Sequence, residues 1–339
     1  MAPSQVNVGI IGAGRIGRVH AENLAHHIPE ARIAAVADVI EDAARTLASD
    51  YQIPSVYNDP RAILDDKSID AVLICSSSDT HAPLIEDAAA VKKHIFCEKP
   101  IALDLARIDR ALAAVDQAGV KLQVGFNRRF DPSFKRVHEL VASGEIGEPH
   151  LLCITSRDPA PPPISYVKVS GGIFLDMVIH DFDMARYLMG SEVEQVFATG
   201  NVLIDPEIGK VGDLDTAVTT LRFANGALGV IDNSRKAVYG YDQRAEVFGS
   251  KGMALAGNKT PDTVIQSDAN GVCASKPLYF FLERYGDAFA AEMREFIESV
   301  TQGRVPPVTG VDGRMAVAIG YAALKSVKEN RPVRLSEIR

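Results

Sequence analysis

Long apolar runs, basic clusters and paired cysteines are all missing from this 339-residue chain. No stretch reaches the ~18 consecutive apolar residues of a membrane span, so no membrane partner is expected. No long basic run occurs and the formal net charge is -8, which argues against nucleic acid as a main partner. An anionic cofactor is not excluded, since it needs only local donors. The four cysteines are Cys75, Cys97, Cys153 and Cys273. None forms a C-x-x-C pair, and their spacing fits neither a zinc site nor a small disulfide scaffold, so buried, reduced thiols are expected. The opening Met1-Ala2-Pro3-Ser4-Gln5 lacks the basic region, apolar stretch and cleavage site of a secretory signal. A cytoplasmic location is the resulting expectation. No internal repeat is present.

What is there is ordinary in amount and informative in order. Hydrophobic residues make up 47% and charged residues 24%, the balance of a globular protein. The length predicts two domains. Residues 1–125 alternate short apolar runs with helical patterns. Strands are expected at Val6 to Ile11, Arg32 to Ala37, Ala71 to Cys75, His94 to Cys97 and Leu122 to Gly125. Helices are expected at Gly14 to Ala25, Glu41 to Tyr51, His81 to Val91 and Leu103 to Ala118. Continuous rather than alternating apolar runs indicate strands buried on both faces, hence a parallel sheet covered by helices. After Phe126 the strand signals cluster: His150 to Ser156, Gln195 to Leu203, Ala217 to Phe223, Gly229 to Ser234 and Arg244 to Gly249. Asn225-Gly226 reads as a hairpin turn that accommodates positive φ. Two helices close the chain, near Asp287 to Thr301 and Val311 to Asn330. The predicted fold class is α/β: a dinucleotide-type parallel domain over 1–125, then an α+β domain over 126–339 with a large, mostly antiparallel open sheet.

Gly12-Ala13-Gly14-Arg15-Ile16-Gly17 is a G-x-G-x-x-G match. It follows an apolar strand and opens a helical pattern, the context the motif requires. Gly12 permits a tight turn, Gly14 lets a pyrophosphate approach the backbone, and Gly17 lets helix and strand pack closely. The helix N-terminus, from Ala13 through Ile16, offers N–H groups to phosphates. Asp38 ends the second strand, where a carboxylate accepts from adenosine ribose hydroxyls and repels a 2′-phosphate. Val39 and Ile40 supply no offsetting cation, so NAD is expected over NADP. The alternative is that Asp38 caps the helix beginning near Glu41. Ser76, Ser77 and His81 follow the third strand and are expected to line the cofactor, to cap the next helix, or both.

Cys97-Glu98-Lys99-Pro100 places Glu98 and Lys99 at the carboxyl edge of the sheet, where the nicotinamide belongs. A solvent-exposed turn lysine is the alternative. Gly171 to Tyr187 reads as one helix, with Asp176, His180, Asp183 and Tyr187 spaced 4, 3 and 4 apart and so on one face. The other positions are mostly apolar, so the helix is expected to be buried. A polar stripe there needs partners, which a polar cavity, a hydrogen-bonded core cluster or solvent would provide. No third strong ligand lies nearby, so no metal is expected. The set suits alcohol oxidation: His180 as proton acceptor, Asp176 orienting it, and Lys99 stabilising charge on the reacting oxygen.

These motifs resemble the glucose–fructose oxidoreductase and inositol dehydrogenase (Gfo/Idh/MocA) family over nearly the whole chain. The resemblance rests on the glycine loop, Glu98-Lys99-Pro100, Gly171-Gly172-x-x-x-Asp176-x-x-x-His180-Asp181-x-Asp183 and the domain order. Gly125-Phe126-Asn127-Arg128-Arg129-Phe130-Asp131, Arg157-Asp158-Pro159 and Asp312-Gly313-Arg314 are most similar to the family's inositol 2-dehydrogenase branch. The resemblance implies a Rossmann domain, NAD, and Lys99, Asp176 and His180 as the catalytic group. It also implies substrate contacts from these three and from Arg128, Asp183 and Tyr239 or Tyr241, and a homotetramer built through the second-domain sheet. The expected reaction is oxidation of myo-inositol to its 2-keto form. Scyllo-inositol or an aldopyranose such as glucose is the alternative substrate. An NAD-dependent glycosidase and an NAD-binding regulator without turnover are further rivals; a regulator has no need of the catalytic group.

Overall fold

The computed structural model describes residues 5–338. The chain divides into two compact units. The first comprises residues 1–130 and 287–315, the second 131–286 and 316–339.

The first unit runs β1 (Val6–Ile11), α1 (Arg15–His27), β2 (Ala31–Ala37), α2 (Glu41–Tyr51), β3 (Ser55–Tyr57), α3 (Arg61–Asp65), β4 (Ala71–Ile74), α4 (Ser78–Ala90), β5 (His94–Glu98), α5 (Leu105–Ala118) and β6 (Leu122–Gly125). Its sheet has the order β3-β2-β1-β4-β5-β6. Every pairing is parallel. This is the doubly wound arrangement, in which ligands bind beyond the carboxyl ends of the strands. The five expected strands are all present. The short β3 and α3 carry too few residues to show a period and were not anticipated.

The second unit begins with α6 (Pro132–Ala142), β7 (Pro149–Arg157), α7 (Ile164–Val167), α8 (Gly172–Asp176), α9 (Ile179–Met189), β8 (Val193–Asn201), α10 (Pro206–Lys210), β9 (Thr216–Phe223) and β10 (Leu228–Ser234). It continues through β11 (Asp242–Gly249), β12 (Gly252–Ala256), the hairpin β13 (Ile265–Asp268) and β14 (Gly271–Ala274), and α11 (Phe281–Arg284). The large sheet has the order β12-β11-β7-β10-β9-β8-β15, with β15 at Val333–Arg334. Only β7 and β10 pair in parallel, so the sheet is mostly antiparallel as expected. Leu152, Ile154, Ala217, Leu221, Ile231, Ala245 and Val247 alternate onto its buried face. α9 packs against β7, and β8 is tied to the last helix by a 2.9 Å bond from the amide of Ala198 to Ser326 Oγ.

The single boundary expected at 125/126 misses a return of the chain. α12 (Gly286–Gln302) supplies Met293, Phe296 and Ile297 to the same core as Val8, Ile10, Val36, Leu73 and Phe96. The chain then re-enters the second unit inside α13 (Gly310–Glu329). The turn at Asn225-Gly226 joins β9 and β10 as the expected hairpin. Only Gly226 takes a positive φ, 87°, while Asn225 Oδ1 accepts from the Ala227 amide. Phe223 and Ala227 close the loop, so it is a three-residue turn ending in a bulge. Of the cysteines, Cys75 and Cys97 are buried, Cys153 is half-buried and Cys273 is exposed. No described helix is long and apolar enough to cross a membrane.

Gly17 gives the fold a direct test. A Cβ there would lie 2.0 Å from the carbonyl oxygen of Gly12, a backbone atom that cannot swing away. Helix propensity alone would make Gly17→Ala stabilising by about 1 kcal/mol. The clash reverses the sign, and a net loss of about 2–3 kcal/mol is expected in chemical or thermal melts.

Candidate active site

The glycine loop lies between the carboxyl end of β1 and the start of α1. Gly14 is the N-cap of α1, with no side chain bonded over the helix end and no acidic residue in the first turn. Its φ is -69°, and a Cβ added there would meet nothing within 4 Å. Nothing among the described residues therefore requires glycine at this position. The open space beside a bare helix N-terminus is what a pyrophosphate needs, so the residues fit a dinucleotide. Asp38, at the end of β2, accepts from the Ala13 amide at 2.7 Å and from the Ile40 amide at 2.8 Å. It therefore braces the loop. It does not cap α2, whose N-cap is Ile40.

The neighbouring strand ends divide into lining and supporting groups. Ser76 Oγ pairs with Thr80 Oγ1 at 2.7 Å, and Ser77 is the N-cap of α4 without a side-chain cap bond. His81 is buried, with Nδ1 2.8 Å from the Pro100 carbonyl and Nε2 3.1 Å from that of Ser76. It links the loops after β4 and β5 and points away from solvent. Glu98 also turns inward: its Oε1 lies 2.7 Å from Nε2 of the fully buried His20. Both are expected at the cofactor; in the structure their side chains brace the loops at these strand ends. Lys99 follows directly at the carboxyl edge. Arg128 is buried in the short 3-10 turn Asn127–Phe130, while the adjacent Arg129 bonds Asp312 at 2.9 Å. Burial pushes the Cys75 and Cys97 thiols well above their usual range, so neither is a ready nucleophile.

In the second unit the expected continuous helix is broken. α8 ends at Asp176 and α9 starts at Ile179. The amides of Met177 and Val178 both reach the Ile173 carbonyl, at 3.1 and 2.9 Å. The second bond spans five residues, so the turn is wider than an α-turn. Asp176 and His180 therefore flank a local widening and do not share a regular 3.6-residue face. Most of α9 is buried as expected, Asp183 included, while His180 and Tyr187 are half-buried. Asp176 Oδ1 accepts from the Tyr166 hydroxyl at 2.8 Å, and Oδ2 lies 3.9 Å from Nη1 of Arg235.

Tyr239 and Tyr241 have different surroundings. The Tyr239 hydroxyl donates to Asp242 Oδ2 at 2.6 Å and accepts from Arg157 at 3.1 Å. Burial and the Asp242 contact both push its pKa up. Burial would raise Asp242, but bonds from Arg244, Tyr239 and Asn258 outweigh it and hold the carboxyl below its usual range. Tyr241 is buried against Phe280 and Tyr285. Spacing gave no sign of Tyr166, which precedes the motif outside its pattern, or of Asp213 and Arg235, which lie far from it in sequence. Among the described residues, no group of three or more His, Cys, Asp or Glu is placed to hold a metal.

Two family models cover most of the chain. Residues 6–126 match an oxidoreductase family with an NAD-binding Rossmann fold, and residues 134–255 match the GFO/IDH/MocA C-terminal domain. The chain belongs to the Gfo/Idh/MocA family. A family relative, the myo-inositol 2-dehydrogenase of Thermotoga maritima, is 56% identical over 98% of this chain and 99% of its own. The inositol 2-dehydrogenase of Rhizobium meliloti is 47% identical over 98% and 99% of the two chains. The crystal structure of scyllo-inositol dehydrogenase from Lactobacillus casei with bound NAD(H) and scyllo-inositol superposes with a TM-score of 0.91. It is 31% identical and covers 98% of this chain and 99% of that one. This Gfo/Idh/MocA member is thus an NAD-dependent oxidoreductase.

Two substitutions separate cofactor binding from folding. Gly14→Ala is expected to leave the melting temperature of the free protein unchanged. Its methyl group, placed where the pyrophosphate approaches, should weaken NAD about tenfold or more in a fluorescence titration. Asp38→Ser should weaken NAD and raise the relative use of NADP in steady-state assays.

Proposed function

We propose that this chain is an inositol 2-dehydrogenase that oxidises myo-inositol to its 2-keto form with NAD. The observation carrying this reading is near-full-length similarity to proteins of that name, 56% and 47% identical, in a chain whose sequence carries Lys99, Asp176 and His180. Bound NAD supplies the hydride acceptor. His180, at the first turn of α9, takes the proton of the hydroxyl being oxidised, because imidazole titrates near neutral pH. Asp176 orients that ring and stabilises its charged form. Lys99 hydrogen-bonds the reacting oxygen and stabilises the negative charge that develops there. Arg128, Asp183 and Tyr241 are the further groups offered to substrate hydroxyls. Tyr239 is the weaker candidate, since its hydroxyl is already held by Asp242 and Arg157.

A second reading keeps the chemistry and changes the stereoisomer. The Lactobacillus casei structure binds scyllo-inositol on the same fold. We further propose that the chain self-associates through the uncovered face of its large sheet, as a tetramer. Leu151, Val218, Leu228, Phe248, Met253 and Leu255 are all exposed, an apolar group that favours a protein partner over water. The net charge of -8 fits a small-molecule substrate better than nucleic acid. Four free cysteines fit a reducing compartment, and so the cytoplasm.

A panel of myo-inositol, scyllo-inositol and glucose with each nucleotide, followed by NADH absorbance, tests the substrate. Myo-inositol should give the highest kcat/KM; a clear preference for glucose rejects the cyclitol reading. His180→Ala should lower kcat about 10²–10⁴-fold while NAD still binds. Undiminished turnover would remove His180 from the proton transfer.

A further inference from the structure

We propose that Arg235 is a positioning residue for Asp176, acting with Asp213 to fix both ends of α8. This rests on the reading of Asp176 and His180 as the proton-accepting pair. Arg235 follows β10 directly, and its amide donates to the Asp215 carbonyl at 2.8 Å. Its side chain is 1% exposed and is among the largest fully buried groups in the chain. Nη2 lies 3.3 Å from Asp213 Oδ2, and Nη1 lies 3.9 Å from Asp176 Oδ2. One cation thus faces two carboxylates.

Each carboxylate holds a different part of α8. Asp213 Oδ1 accepts from the Ile173 amide at 2.9 Å, in the first turn. Gly172 precedes it with φ 77°, and a Cβ there would lie 2.7 Å from Asp213 Oδ1. Glycine at 172 therefore allows Asp213 to reach the helix start. Asp176 is the last residue of α8, with Oδ1 bonded to Tyr166 and Oδ2 turned to Arg235. The Tyr166 bond and the facing charge of Arg235 together bias the orientation of the carboxylate next to the wide turn that leads to His180. A guanidinium suits this place because its planar fork bonds Asp213 with one nitrogen while turning the other to Asp176, a span that the point charge of an ammonium does not match. A buried guanidinium that is lost leaves like charges uncompensated.

The test uses the full-length protein with NAD and myo-inositol, or whichever polyol the panel selects. Arg235→Lys keeps the charge and loses the fork. We expect it to bind NAD normally and to lower kcat about 10²-fold, the scale of a misplaced reacting group. KM should change far less. With substrate deuterated at the oxidised carbon, the isotope effect on kcat should rise as hydride transfer becomes limiting. A lower melting temperature with unchanged kcat and isotope effect would mean that Arg235 is structural only, which overturns the proposal. If Arg235→Lys folds poorly, Asp213→Asn loosens the same clamp without altering Asp176. It should show a smaller fall in kcat and the same rise in isotope effect, and wild-type values for both would equally overturn the idea. His180→Ala is the control. If it retains turnover, the reading of the pair is at fault; if it loses turnover while Arg235→Lys does not, only the role of Arg235 fails.

Discussion

The bond from the Ala13 amide to the carboxylate of Asp38 joins the ends of two adjacent strands, and the cofactor half of the site depends on it. A tight loop between strand and helix leaves amides without partners, and a buried amide left unpaired is costly. Asp38 meets that need for Ala13 and so fixes the path on which Gly14 presents open space. The same carboxylate is the group expected to discriminate between nucleotides. Loop geometry and the expected nucleotide choice therefore meet in one side chain.

A comparable economy operates elsewhere in the first unit. His81 ties two loops through backbone carbonyls, and Glu98 is occupied by the fully buried His20. Both residues occur inside motifs, and motif membership alone gives no means of telling a ligand contact from a brace. The distinction lies in direction: the side chain either leaves the strand end towards open space or returns to the interior.

The parallel domain was legible in the sequence because its strands are continuous apolar runs and its helices carry a clear period. α2 and β6 fall where the pattern placed them. The uneven part is the segment from Gly171 to Tyr187. Its composition announced a buried helix with a polar stripe, but the five-residue bond at Val178 is set by packing and leaves no mark in residue spacing. Arg235 and Asp213 were invisible for a related reason. They approach Asp176 only after the sheet forms, from more than thirty positions away. The return of α12 was hidden as well, since its amphipathic pattern says that it covers a core without saying which one.

That return has a practical meaning for anyone wishing to isolate the nucleotide-binding half. The backbone passes from one unit to the other three times: after Phe130, after Gly286 and within α13. A fragment ending at the first passage would lack Met293, Phe296 and Ile297, and would leave the faces of Val8, Ile10 and Phe96 bare to water. A clean excision must instead splice two separate stretches with an artificial linker. Grafting a foreign catalytic module onto this scaffold likewise calls for insertion between two fixed anchor points rather than fusion at one end.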